Sequence, residues 1–190
     1  MRRSAFDKLI SWTGLALAGL LVVVGGLASW AHFFIDDQVQ SQLVAQRITM
    51  PEGDALTSLS DADREALEPF AGSPLDTGAE ARAFADHYIL AHMNASSGNR
   101  TYEEVSGEFM ALSDQEKASE AGQQVAALRQ SLFMGNTLRG MLLNAYAFGT
   151  MGLIAGLTAI ASFAGAVVLA VLAALGLRHS KTRDAELASI

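Results

Sequence analysis

The chain has 190 residues, 51% of them hydrophobic, with a mean hydropathy of +0.26 and a formal net charge of −7. It is too apolar for an ordinary soluble domain and, at 17% charged residues, too polar to lie wholly in lipid, so the two characters must be segregated along the chain. The acidic balance excludes nucleic acid as a partner, which needs clustered Lys and Arg, and the absence of cysteine excludes a disulfide framework.

Two runs carry no Asp, Glu, Lys or Arg: 27 residues at 9–35 and 38 residues at 140–177. As helices they would measure about 40 and 57 Å against a hydrocarbon core of about 30 Å, so the first can cross once and only part of the second fits. Asn144, Tyr146 and Thr150 crowd the start of the second run, placing its lipid-buried part near 151–175. The expected fold class is therefore all-α, an integral membrane protein with two transmembrane helices and an extracytoplasmic helical domain between them. Its expected parts are a cytoplasmic N-terminus (1–8), a first span (9–35), an acidic domain (36–139), a second span with an outer extension (140–177) and a cytoplasmic tail (178–190).

Charge sets the direction. Arg2, Arg3 and Lys8 outweigh Asp7 before the first span, and Arg178, Lys181 and Arg183 outweigh Asp184 and Glu186 after the second, whereas 36–139 holds 7 basic and 17 acidic residues. Basic flanks stay on the cytoplasmic side, so both termini are expected inside and the connection outside. The first 28 residues also fit a cleaved signal peptide, with Gly26-Leu27-Ala28 as the small-residue triplet. Apolar character continues through Trp30, Phe33, Phe34 and Ile35, which favours a retained span, and the Arg pair lacks the rest of a twin-arginine signal.

In the first span Gly14, Ala18, Leu21, Gly25 and Ala28 recur at steps of four and three, a stripe that lets helix backbones approach closely. Trp12 and Trp30 near its ends are expected at the headgroup level as interface contacts. The helix is expected to continue past Asp36-Asp37 and stop before Pro51 and Gly53. A short helix follows Ser60 within 56–68, and Pro69, Gly72, Pro74 and Gly78 make a loop. Thr77 with Glu80, Thr101 with Glu104 and Ser113 with Glu116 match capping boxes, which predict three helix starts.

The helix after Thr77 places Ala81, Phe84, Ala85, Tyr88 and Ile89 on one side and is expected to end at Ser96-Ser97-Gly98-Asn99. The helix after Ser113 carries a seam of Ala118, Ala121, Val125, Leu128 and Leu132 suited to bundle packing, and Gly135-Asn136-Thr137 reads as a stop followed by a new start. In the second span Gly152 and Gly156 form a G-x-x-x-G, which Gly149, Ala159, Ala166 and Ala173 extend into a smooth face. That face fits either the first span or another copy.

No constellation for chemistry emerges. His32 and His179 fall on opposite membrane faces, and His87 and His92 lie five apart, about 140° around a helix, so they do not make a same-face metal pair. There is no G-x-S-x-G and no phosphate-cradling glycine loop, and the carboxylates read as a solvated acidic surface. No buried ionisable residue is expected within either span to mark an ion or proton path, His32 being placed at the outer end of the first. Arg139, just before the second charge-free run, is expected at lipid phosphates, Asp36 or Asp37, or helix-end groups.

The segment Leu138-Arg139-Gly140-Met141-Leu142-Leu143-Asn144-Ala145-Tyr146, preceded by Thr77-Gly78, Ala83-Phe84-Ala85-Asp86-His87-Tyr88, Thr101-Tyr102 and Val105-Ser106, resembles a group of two-span membrane proteins of actinobacteria, over most of the chain. The resemblance implies the same inside, outside, inside arrangement in a bacterial plasma membrane, and no reaction. Some members of that group carry a label as aromatic ring-opening dioxygenases; the non-haem iron such enzymes use needs a His and carboxylate cluster that the sequence lacks.

The expectation is a non-enzymatic accessory or scaffolding subunit without cofactor or metal, whose partners are the bilayer and another membrane protein or a second copy. Gly14, Ala18, Gly25, Gly149, Gly152, Gly156, Ala159 and Ala166 are its expected helix-packing residues, and Trp12, Trp30 and Arg139 its interface contacts. The alternatives are an extracytoplasmic ligand-binding or sensor module signalling through a partner, and an enzyme at the membrane surface.

Overall fold

The computed structural model describes residues 3–188, with side chains over 5–182. The orienting charges on Arg2, Arg3, Arg183, Asp184 and Glu186 lie outside the described side chains. The fold is all-α. Its elements are α1 (Arg3–Ala45), α2 (Asp54–Thr57), α3 (Asp61–Leu67), a 3-10 turn (Glu68–Phe70), α4 (Gly78–Ala83), a π turn (Phe84–Ile89), α5 (Leu90–Ser97), α6 (Tyr102–Ala111), α7 (Asp114–Ala118) and α8 (Glu120–Ala188). The chain divides into two compact units, Met1–Ile35 with Met151–Ile190, and Asp36–Thr150.

The first unit is a pair of antiparallel helical segments. Two helices are long and apolar enough to cross a membrane, within Ala5–Ala45 and Glu120–Thr182, and only 17% of either apolar window is buried. A core helix of a soluble protein would be mostly buried, so this surface is of another kind. The contacts follow a seven-residue repeat: Ser11, Ala18 and Gly25 on one helix, and Gly152, Ala159, Ala166, Ala173 and Ser180 on the other, are buried in the seam. Such a repeat keeps one narrow stripe facing its partner along the whole pair. Large side chains point outward, among them Leu20, Val23, Phe33, Ile160, Val167 and Leu172.

The second unit has an ordinary apolar core, in which Met50, Leu67, Leu75, Val105 and Leu132 are fully buried. Each such side chain contributes about 1.5–3 kcal/mol. The first helix ends earlier than Pro51, because Gln46 and Arg47 close i→i+3 turns on Leu43 and Val44, and Arg47 adopts φ 52°. Two extended stretches then pair, with Met50 N–H donating to Ser73 O at 2.8 Å and Leu75 N–H to Ile48 O at 2.9 Å. All three capping boxes form, at Thr77, Thr101 and Ser113. Gly98, at φ 64°, closes α5 in the left-handed conformation that glycine adopts without strain.

Three expectations need correction. The helix after Ser113 breaks at Ser119, whose extended backbone ends α7 and whose hydroxyl accepts from Gly122 N–H in the first turn of α8. Ala118 and Ala121 are consequently exposed, and buried Gly122 takes the first place in the seam. Nor does Gly135-Asn136-Thr137 interrupt the chain: α8 runs through it, Thr137 returning its hydroxyl to Phe133 O at 2.8 Å and Gly135 facing the Met93 side chain. Finally, the helix after Thr77 contains the π turn, in which Leu90 N–H reaches back five residues to Ala85 O.

Candidate functional site

In the first unit the expected packing residues face one another across the helix pair. A methyl group added at Gly14 would lie 3.5 Å from Ala173 Cβ, one at Gly25 would meet the Phe163 ring at 3.0 Å, and one at Gly152 would lie 3.2 Å from Ile35 Cγ2. Ala18, Ala159 and Ala166 are buried in the same seam. Gly156 has a more particular neighbour. The His32 ring lies against it, with Cγ 3.2 Å from where a Cβ would stand, and His32 Nδ1 donates to Gly152 O at 2.9 Å. The G-x-x-x-G thus makes a niche for an imidazole ring. Trp12 and Trp30 point outward at 65% and 66% exposure, Trp30 stacking on Phe34 with centroids 5.5 Å apart.

Gly149 does not belong to that seam. It lies in the second unit against Gly78, where a methyl on Gly78 would come within 3.1 Å of Ala145 O and of the Tyr146 backbone. Two glycines let the first turn of α4 rest directly on α8.

Arg139 requires the clearest correction: of its expected partners (lipid phosphates, Asp36 or Asp37, or helix-end groups) neither carboxylate is bound, and the guanidinium turns inward. Its Nε donates to Ala85 O at 3.0 Å and its Nη2 to Asp86 Oδ1 at 2.9 Å. The physical reason is the π turn: it presents a carbonyl and a carboxylate side by side, a match for the fork of a guanidinium. Asp86 also meets Arg82 at 3.8 Å, and Arg82 donates to the Tyr146 hydroxyl at 3.0 Å while lying 4.9 Å over that ring. Arg139, Asp86, Arg82 and Tyr146 therefore form one network joining α8 to α4 and the π turn.

A second polar centre surrounds Glu80, whose residue is buried. Its carboxylate accepts from Ser73 Oγ at 2.8 Å, Thr77 N–H and Oγ1 at 2.9 Å each, and Asp76 N–H at 3.0 Å. Burial alone would raise its pKa, but together the bonds from Asp76, Ser73 and Thr77 outweigh burial and lower it. Asp76 shifts the other way, raised by burial and by the Glu80 charge beside it. Exposed Glu104 and Glu116 are lowered by their capping partners Thr101 and Ser113.

The two histidines of the second unit do not meet. His87 Nδ1 donates to Asp63 Oδ1 at 3.0 Å, while His92 Nδ1 donates to the Tyr88 carbonyl at 2.8 Å. Asp63 is held below the usual carboxylate range by the Ser60 hydroxyl and, against some burial, by His87. Among the described residues no three His, Cys, Asp or Glu side chains gather as metal ligands.

Sequence reasoning passed over Arg129. Its Nε donates to Ser106 Oγ at 3.1 Å, and its guanidinium carbon lies 5.4 Å from the Phe109 ring centre and 5.9 Å from that of Tyr102. The Tyr102 and Phe133 rings approach at 5.9 Å. These residues come from α6 and α8, so only the pairing of Tyr102 and Phe109, seven apart on one face of α6, could have pointed to the cluster. Comparison with family models, curated proteins and solved structures finds no match, which leaves the geometry to carry the functional reading.

Proposed function

We propose that this chain is an integral protein of the bacterial plasma membrane, crossing it twice with both termini cytoplasmic, and that it serves as an accessory or scaffolding subunit and not as an enzyme. The reading is carried by the inverted polarity of the first unit, where Gly, Ala, Ser and His32 fill the seam and Leu, Val, Ile and Phe cover the outside. Hydrocarbon is the solvent that suits such a surface, and water is not. The excess of Lys and Arg in both flanks supports the direction, and the acidic second unit then stands outside.

Because the small-residue faces are taken up within the chain, a partner must find another surface. In the second unit α8 offers Met134, Leu138, Met141 and Phe148, all exposed and within about 40° of one line along the helix. A stripe of this kind suits an apolar partner helix, and methionine adapts readily to one.

The test is purification in mild detergent from native membranes, with particle mass and co-purifying proteins read on one sample. A discrete complex that Met134→Glu with Met141→Glu disperses is the expected result. A lone monomer in both forms would overturn the scaffold reading.

A further inference from the structure

We infer that the groove beside Arg129 is a binding site for a small monocarboxylate with an apolar body, of the aryl-carboxylate class. The groove has a volume of about 230 Å³ and is lined by Tyr102, Ala126, Arg129, Gln130 and Phe133. At about 30 Å³ for each water-sized group, it has room for about seven or eight such groups and is open to solvent on one side, so a carboxylate and part of a ring fit within it.

Arg129 supplies the charge. In the same unit Arg64, Arg82, Arg100 and Arg139 each meet an Asp or Glu within 4.0 Å, whereas Arg129, like Arg47 and Lys117, meets no carboxylate among the described residues. Of these three, Arg129 is the one that lines the groove. Its side chain is nevertheless held in place, by Ser106 at Nε and by the Tyr102 and Phe109 rings near its guanidinium, and its terminal N–H groups make no hydrogen bond among the described residues. A carboxylate accepts two parallel bonds from such a fork, and the entropy of fixing the arginine has already been spent in the free protein.

The walls select the remainder of the ligand. The exposed lining is mostly polar, and Phe133, exposed, and Tyr102, half-buried, add aromatic surface at one side of the guanidinium, against which a small flat ring can lie. The acidic surroundings act against a dianion, because each added negative charge is repelled by the whole segment. This site goes beyond the scaffold reading and does not depend on it.

The full chain in nanodiscs of neutral lipid is titrated with phenylacetate by calorimetry, with phenylacetamide, acetate and phenyl phosphate in parallel. Saturable phenylacetate binding is expected in the low-millimolar range for a ligand of this size, about tenfold tighter than phenylacetamide because the neutral amide loses the charge-assisted pair. Arg129→Gln should abolish it, and Phe133→Ala, at an exposed position, should weaken it about tenfold. Absence of saturable binding, equal binding of phenylacetamide, binding unchanged in Arg129→Gln, or tighter binding of phenyl phosphate would each overturn the assignment. If Arg129→Gln loses its helical signal, the phenylacetamide comparison on the unaltered chain and the Phe133→Ala variant decide the matter.

Discussion

At the scale of single residues, two charged groups dominate the second unit, and each makes a distinct expectation. Arg139→Ala removes a carbonyl cap and an ion pair at one half-buried point and leaves Asp86 with only the longer contact to Arg82. Loss of about 2–4 kcal/mol is expected in denaturant unfolding followed by circular dichroism, with partial rescue by Lys, which keeps the charge but not the fork. Glu80 and Asp76 have opposite signs. The lowered pKa of Glu80 means that its contribution is full above its unfolded value of about 4.3 and is lost as pH falls through its folded value. The raised pKa of Asp76 means that its contribution is present below its unfolded value of about 3.9 and is lost as pH rises through its folded value. Glu80→Gln should therefore cost about 1–3 kcal/mol at neutral pH and flatten the acid limb of a stability curve, while Asp76→Asn should leave neutral stability unchanged or raise it. The capping role of Glu80 was legible in the sequence because a capping box spans only four residues, here Thr77 to Glu80. Arg139 was misread because its partner lies 53 residues away in a turn that no local pattern announces.

At the scale of elements, the small-residue stripes of both apolar helices were legible, because a seven-residue repeat survives in the letters. Which surface the stripe meets was not, since a G-x-x-x-G carries the same signature for a neighbour in the same chain and for another copy. The helix pair makes the choice testable. With no native cysteine, G14C and A173C would stand with Cβ atoms near 3.5 Å, within the range of a disulfide. Oxidation should give an intramolecular bond that changes mobility at monomer mass; a covalent dimer would place the stripe between copies instead. The unbroken course of α8 escaped detection for a different reason. Gly135, Asn136 and Thr137 are each common at helix ends, but in place the glycine accommodates Met93 and the threonine bonds back to Phe133, so tertiary packing overrides local preference.

At the scale of the whole molecule, the segregation of apolar and acidic residues was the most legible property, being a matter of composition over dozens of positions. The proposed orientation predicts the labelling of single cysteines by a membrane-impermeant maleimide in intact cells. Thr57→Cys, in the acidic segment, should react from outside, and Thr182→Cys only after lysis; the reverse pattern would invert the topology. The π turn, finally, bears on how this chain can change length. Its hydrogen-bonded ring holds one residue more than an α turn, so Phe84–Ile89 is a stretch where a single residue can be removed without opening a loop. Deletion there would restore a regular helix and rotate one flank against the other by about 100°. His87, which reaches Asp63, and Arg82, which reaches Tyr146, could then no longer both keep their neighbours. A natural chain with a gap at this point should differ at Arg139 as well, and one with a residue added elsewhere in the same helix should not.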